Sequence, residues 1–137
     1  MRGLLTAVLA VLAACLLMGM GNLGGTPEGE IPKTDQNFRV TLVDRSGVSS
    51  ELSRFSLDGN LFVKGKRGEG EVSIYFRNIR EIHFGPVSGS DVPADLVQAT
   101  GSRVQLKVNK DSMFFGDTGY GAYRIPASSV SRISFHR

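Results

Sequence analysis

The sequence predicts an all-β fold: two pseudo-repeated β-modules, small-barrel or sandwich-like, packed as one compact body. Three observations carry the prediction. Gly65 to Phe84 aligns without a gap on Gly116 to Phe135, and six of those twenty positions are identical, where chance would give about one or two. Apolar and polar residues alternate with period two from Phe38 onward, and no long helical periodicity follows residue 30. Gly, Asp, Asn and Ser clusters punctuate these runs, in a chain with 17 Gly and no Trp.

The elements follow in order. Phe38, Val40 and Leu42 form the inward face of a first strand, and Asp44-Arg45-Ser46-Gly47 is a turn. Val48 to Leu57 returns, and the slip in parity between Leu52 and Phe55 marks a bulge or kink. Asp58-Gly59-Asn60 is the clearest hairpin signal. Leu61 and Val63 then share one face of a strand, Val72, Ile74 and Phe76 alternate in the next, and Ile79, Ile82 and Phe84 close the first module, residues 38–84. Residues 85–94, rich in Gly, Ser and Pro, are the joint. The second module, residues 95–137, replays the first: a strand from Asp95 to Thr100, a turn at Gly101-Ser102, a return over Val104, Leu106 and Val108, a turn at Asn109-Lys110-Asp111, and Met113-Phe114-Phe115 leading into the repeated stretch. The first module carries about five extra residues near Ser49 to Asn60. Units of about 45 residues bury too little surface to stand alone without disulfides or metal. The two copies are therefore expected to pack together or interleave.

The N-terminus reads as an address. Arg2 precedes an apolar run from Leu4 to Met20, so residues 1–20 are a signal peptide or membrane anchor, and residues 21–37, with Thr26-Pro27 and Ile31-Pro32, are a flexible tether. Leu12-Ala13-Ala14-Cys15 resembles the lipobox of bacterial lipoproteins, and Cys15 is the chain's single cysteine. The resemblance implies lipidation at Cys15 and a new N-terminus there. An uncleaved anchor, since Leu4 to Met20 reaches the roughly 17-residue lower bound for spanning, and cleavage near Gly19 to Gly21 are the alternatives. All three export the folded part to the cell envelope, facing the periplasm or exterior.

Ile125-Pro126-Ala127-Ser128-Ser129-Val130-Ser131-Arg132-Ile133 resembles the end of small barrels of the Src-homology-three kind, in which a strand ends in Pro, a 3₁₀ turn follows and Val opens the closing strand. The likeness implies that backbone path. It does not imply polyproline binding, because the family's gripping Tyr is replaced by Ser129 and the chain lacks Trp. The first copy departs from the pattern with Tyr75 in place of the Pro.

Candidate binding residues come from the differences between the copies. Phe115, Asp117 and Tyr120 stand where the first copy has Lys64, Lys66 and Glu69. An exposed aromatic pair beside Asp117 is one arrangement; burial against the first copy is the other, favoured by the scarcity of exposed apolar patches on monomers. Lys64, Lys66 and Arg67, with Arg77 and Arg80, form the densest basic group, interleaved by Glu69, Glu71 and Glu81. Gly116 to Gly121 reads as a turn, because a strand and no helix N-terminus follows it. His83 and His136 lack a third ligand at metal spacing, so no metal site and no cofactor is expected. No nucleophile elbow or catalytic cysteine is present, and paired carboxylates among Asp44, Glu71, Asp91 and Asp117 remain open. The formal charge of +3, which loss of Arg2 would reduce to +2 (15 basic against 13 acidic), and the export signal disfavour nucleic acid. The expected role is that of a non-enzymatic envelope domain, binding or structural, toward an envelope protein or glycan. A small periplasmic hydrolase or sugar-processing enzyme and a self-association module are the alternatives.

Overall fold

The computed structural model describes residues 26–137; Cys15 and the stretch expected to be an export segment lie outside them. Among the described residues the chain folds into ten strands with no α-helix. In the first repeat these are β1 (Val40–Asp44), β2 (Ser49–Leu57), β3 (Phe62–Arg67), β4 (Gly70–Tyr75) and β5 (Ile79–Phe84); then β6 (Asp91–Gln98), β7 (Arg103–Asn109), β8 (Met113–Asp117), β9 (Ala122–Pro126) and β10 (Val130–Phe135). All pairings are antiparallel, and the strands make one curled sheet in the order β4-β3-β7-β6-β5-β10-β1-β2-β8-β9.

That order is a palindrome once each strand is exchanged for its counterpart in the other repeat. The centre is the β5–β10 pair, where Ile82 lies opposite Ile133, flanked by His83 opposite Arg132 and Glu81 opposite Ser134. From this pseudo-twofold centre the repeats interleave: β1 and β2 hydrogen-bond to β10 and β8, while β6 and β7 hydrogen-bond to β5 and β3. Each half of the sheet thus takes three strands from one repeat and two from the other. Neither repeat needs to bury a core alone, which answers the size problem.

The core is a single cluster drawn from every strand. Phe55, Phe76, Phe114 and Phe135 form its aromatic centre, with Phe55 stacked on Phe114 at 5.3 Å and Phe76 against Phe135 at 5.1 Å between ring centroids. In both repeats a strand passes through a 3₁₀ turn, Phe76–Asn78 or Ala127–Ser129, into the next strand, so Tyr75 supports the same path as Pro126. Gly65 and Gly116 occupy equivalent places. A Cβ on Gly65 would lie 2.8 Å from Leu106 Cβ, and one on Gly116 2.8 Å from Leu52 Cβ, so each glycine lets a strand of the other repeat approach.

The predicted bulge in β2 is present: the β2–β8 register shifts between Ser53 and Ser56, and Arg54 takes a left-handed φ of 50°. Its freed amides are used, since Arg54 N donates to Asn37 Oδ1 at 2.7 Å and Phe55 N to the Phe38 carbonyl at 3.1 Å. The final residues of the stretch read as tether therefore lie on the body, with Pro32 against Gly59. Asp58 and Gly59 form the predicted tight turn, both at positive φ, but its ladder is one bridge long, Leu57 to Asn60. Beyond it β2 and β3 separate because each is claimed by a strand of the other repeat. Strand β6 begins at Asp91, inside the stretch read as a joint, and includes Pro93. Just past the end of the β5 ladder at Ala94, the Pro93 carbonyl accepts the Gly85 amide at 2.9 Å, and the Gly85 carbonyl is bonded by the Arg45 guanidinium in place of the missing N–H.

Turns tie the halves further. Arg45 reaches the carbonyls of Phe84, Gly85 and Ser128, and the Asp44 carboxylate accepts from Ser46 Oγ at 2.6 Å and from the amides of Ser46 and Val48. The Ser46 hydroxyl first, then the Val48 amide, hold the Asp44 pKa below its ordinary 3.8.

Gly65→Ala and Gly116→Ala are each expected to destabilise the protein by about 1–3 kcal/mol, read as a lower denaturant midpoint, whereas Gly121→Ala, whose Cβ meets nothing within 4 Å, leaves it unchanged. Because the folded-state pKa of Asp44 is depressed, its contribution is complete above the ordinary carboxylate value and is lost as pH falls from 3.8 through the lower folded value. The stability gap between wild type and Asp44→Asn should accordingly close over that window; a gap independent of pH would contradict the assignment.

Candidate binding cleft

The repeats differ in length in one region, and a cleft lies there. Counterparts in the inner strands beside the centre are 54 residues apart, Val40 with Ala94 and Leu52 with Leu106, whereas those after the β2–β3 turn are 51 apart, Gly65 with Gly116. The first repeat is therefore longer by three residues, where sequence comparison led us to expect about five; the register places the excess between Ser53 and Phe62. In that half, β2 continues past the bulge and pairs Ser56 with Phe115 and Leu57 with Phe114. In the other half, β7 turns away after Asn109 and pairs with β3 only at Lys66 and Lys107.

The resulting cleft has a volume of about 490 Å³. One wall is β3, through Phe62, Lys64, Gly65 and Lys66; the other is Lys107 and Asn109 of β7, with Glu71 of β4 alongside. Leu57, Asp58, Asn60, Asp91, Asp111 and Ser112 line the rest. Lysines cluster with Glu71 where the strands meet, and aspartates line the other end. Where the strands meet, Lys66 and Lys107 are opposite each other across the single register pair, a like-charge pair flanked by Glu71, which stands opposite Lys66 in the β3–β4 ladder. Lys64 pairs with Glu71 at 3.6 Å, both well exposed, a weak contact. Among the described residues no carboxylate lies within 4 Å of the Lys66 or Lys107 ammonium. The β7 end and the adjoining turns carry Asp91, Asp111 and Asp58, the last already accepting the Met113 amide at 3.1 Å.

The residues singled out from sequence scatter over two regions. Lys64 and Lys66 line the cleft, and Arg67 ends β3, exposed beyond them. Arg77 stacks over the Tyr75 ring at 4.9 Å, and Arg80 donates to the Ala99 carbonyl, so both leave the basic group. Phe115, Asp117 and Tyr120 belong to the opposite half of the sheet. Phe115 is buried, with the Arg124 guanidinium 5.7 Å from its ring centroid. Asp117 accepts the Gly119 amide, and Tyr120 is 91% exposed at the β8–β9 turn; the two aromatics do not form a pair. Sequence reasoning missed Lys107, Asp58 and Asp111. Only the unequal lengths of the two repeats signalled the cleft.

Other polar groups are arranged to hold strands together. Thr41 Oγ1 contacts Glu51 Oε1 and His136 Nε2, each at 2.7 Å, and Glu51 Oε2 lies 3.2 Å from the same nitrogen. A nucleophile relay needs the carboxylate on the other ring nitrogen, so this cluster links β1, β2 and the chain end. Asp44 is held ionised by its turn, opposite to the requirement of a general acid. Among the described residues no group of three or more His, Cys, Asp or Glu side chains is placed to hold a metal ion.

A family model described as "Uncharacterised protein" matches residues 34–137. A protein of Aquifex aeolicus (strain VF5), described as "Uncharacterized protein", is 25% identical over 111 residues, covering 81% of this chain and 83% of that protein. No solved structure matches significantly.

Lys107→Glu turns the Lys66–Lys107 repulsion into attraction. It is expected to raise stability by roughly 0.5 kcal/mol at low ionic strength, an effect that fades in high salt; chemical denaturation at two salt concentrations measures both.

Proposed function

We propose that this chain, which belongs to the family matched over residues 34–137, is a membrane-tethered, non-enzymatic binding module of the cell envelope whose ligand site is the β3–β7 cleft. The observation that carries the reading is the Lys66–Lys107 pair. Glu71 stands opposite Lys66 in the β3–β4 ladder but is drawn to Lys64 at 3.6 Å, so neither the Lys66 nor the Lys107 ammonium has a carboxylate within 4 Å among the described residues, and an anionic ligand between them would supply one. The export segment and Leu12-Ala13-Ala14-Cys15 support a lipid anchor, and from Cys15 to Pro32 the chain would span roughly 23 Å r.m.s. as a flexible tether. Pro32 packs on Gly59, between Asp58 and Asn60 of the cleft lining, so such a tether would leave the body beside the site. In the same reading each five-stranded half is a small barrel of the Src-homology-three kind, supported by the strand, 3₁₀ turn, strand passages at Tyr75–Ile79 and Pro126–Val130.

Two measurements test the proposal. Intact mass of membrane-extracted protein should show a chain beginning at Cys15 with a diacylglyceryl group, absent from Cys15→Ser; an unmodified full-length mass refutes the lipid anchor. On a polyglutamate resin, Lys107→Glu should elute at lower salt than Arg132→Glu, an equal change of charge at an exposed residue of β10. Equal elution of the two would refute the cleft as the anionic site.

A further inference from the structure

The half of the sheet that is filled shows what the cleft lacks. Beside β8, the end of β2 provides a short strand in which Ser56 and Leu57 pair with Phe115 and Phe114, and the Asp58 amide bonds to the Met113 carbonyl at 2.8 Å. The pseudo-twofold carries those β8 positions onto Lys64, Val63 and Phe62 of β3, where the ladder has stopped. The Leu61 carbonyl accepts the Phe76 amide at 2.9 Å, so by strand alternation the main-chain groups of Leu61, Val63 and Gly65 serve β4 while those of Phe62 and Lys64 turn to the cleft. Inside the cleft there is consequently a two-residue length of strand edge with no strand on it, with lysines and Glu71 toward one end and aspartates toward the other.

We propose that the cleft takes an extended peptide as an added strand, antiparallel to β3, with an acidic residue opposite Lys64 and a basic residue two positions later opposite Phe62. The inference rests on the envelope-binding reading and specifies its ligand. Main-chain hydrogen bonds to Phe62 and Lys64 supply the affinity of such strand addition, and alternate side chains supply the selectivity. The side chain opposite Lys64 shares the outer face with Lys66 and Lys107, which have no carboxylate within 4 Å among the described residues, Glu71 being paired with Lys64. The one opposite Phe62 reaches the end lined by Asp58 and Asp111. An antiparallel guest runs from the lysines toward the aspartates, so the order acidic, apolar, basic is matched and the reverse order is opposed at both ends.

The test uses the isotope-labelled full chain in detergent micelles and three blocked peptides: acetyl-Thr-Glu-Val-Lys-Thr-amide, its charge-reversed form acetyl-Thr-Lys-Val-Glu-Thr-amide, and the first peptide methylated on the glutamyl nitrogen. The first should slow hydrogen exchange at the Phe62 and Lys64 amides by about tenfold or more, and the charge-reversed and methylated peptides should not. Lys107→Glu should weaken the first peptide about tenfold. Protection at Glu71, Ser73 and Tyr75 instead would put the guest on the outer edge of β4 and overturn the proposal. Equal binding by the methylated peptide would overturn strand pairing. If an anionic oligosaccharide, oligogalacturonate, shifts the cleft resonances and the peptides do not, the cleft remains a binding site and its peptide ligand is refuted. No response to any probe refutes both readings.

Discussion

The fold depends on strand exchange about the β5–β10 pair. Ile82 and Ile133 face one another at the centre and are completely buried, and the antiparallel register there relates the repeats by a pseudo-twofold so that each can lend two strands to the other. A single repeat of this length lacks the apolar area, disulfides or metal to fold alone. The exchange supplies the missing area by joining both repeats through one core. Gly65 and Gly116 are its steric condition, since any side chain there would push a lent strand away.

Symmetry also explains why a cleft exists in only one half. Two copies of one unit, interleaved about an axis, should fill equivalent positions equally. Three additional residues in the first repeat break the equivalence, extending β2 along β8 while β7 leaves β3 after one pair. The extension buries Phe55, Ser56 and Leu57, and Phe55 becomes the hub of the aromatic centre. Without a matching extension, the other half keeps an open edge and a row of charges in place of apolar packing. One half therefore serves stability and the other retains a surface able to bind, a division open to a duplicated unit because the shared core tolerates a gap at its margin.

Much of the strand layout was legible because its signals are local. Alternation located the strands, Asp58-Gly59 the tight turn and the parity slip the Arg54 bulge, each being decided by the preferences of a few neighbouring residues, while the 3₁₀ turn after Pro126 followed from the likeness of Ile125 to Ile133 to the end of small barrels. The binding region was half legible. Lys64 and Lys66 stood out by charge density, but Lys107 lies some forty residues away on a strand that reads as an ordinary half-buried one. Phe115 and Tyr120 looked alike as departures from the first repeat, yet burial separates them, because strand position decides which side of the sheet a side chain meets.

By itself the sequence determined that the chain is all-β, that it is built twice from one unit, and that the units must share a core, since period, turn chemistry and apolar content are properties of short segments and of composition. Tertiary structure alone decided which strands are neighbours. Pairing β3 with β7 and β2 with β8 depends on registers between distant segments, where hydrogen bonds are equally available to any strand and only the joint packing of both repeats selects among them. That selection set Lys66 against Lys107, opened the cleft beside Phe62 and Lys64, and left the equivalent place beside Phe114 closed.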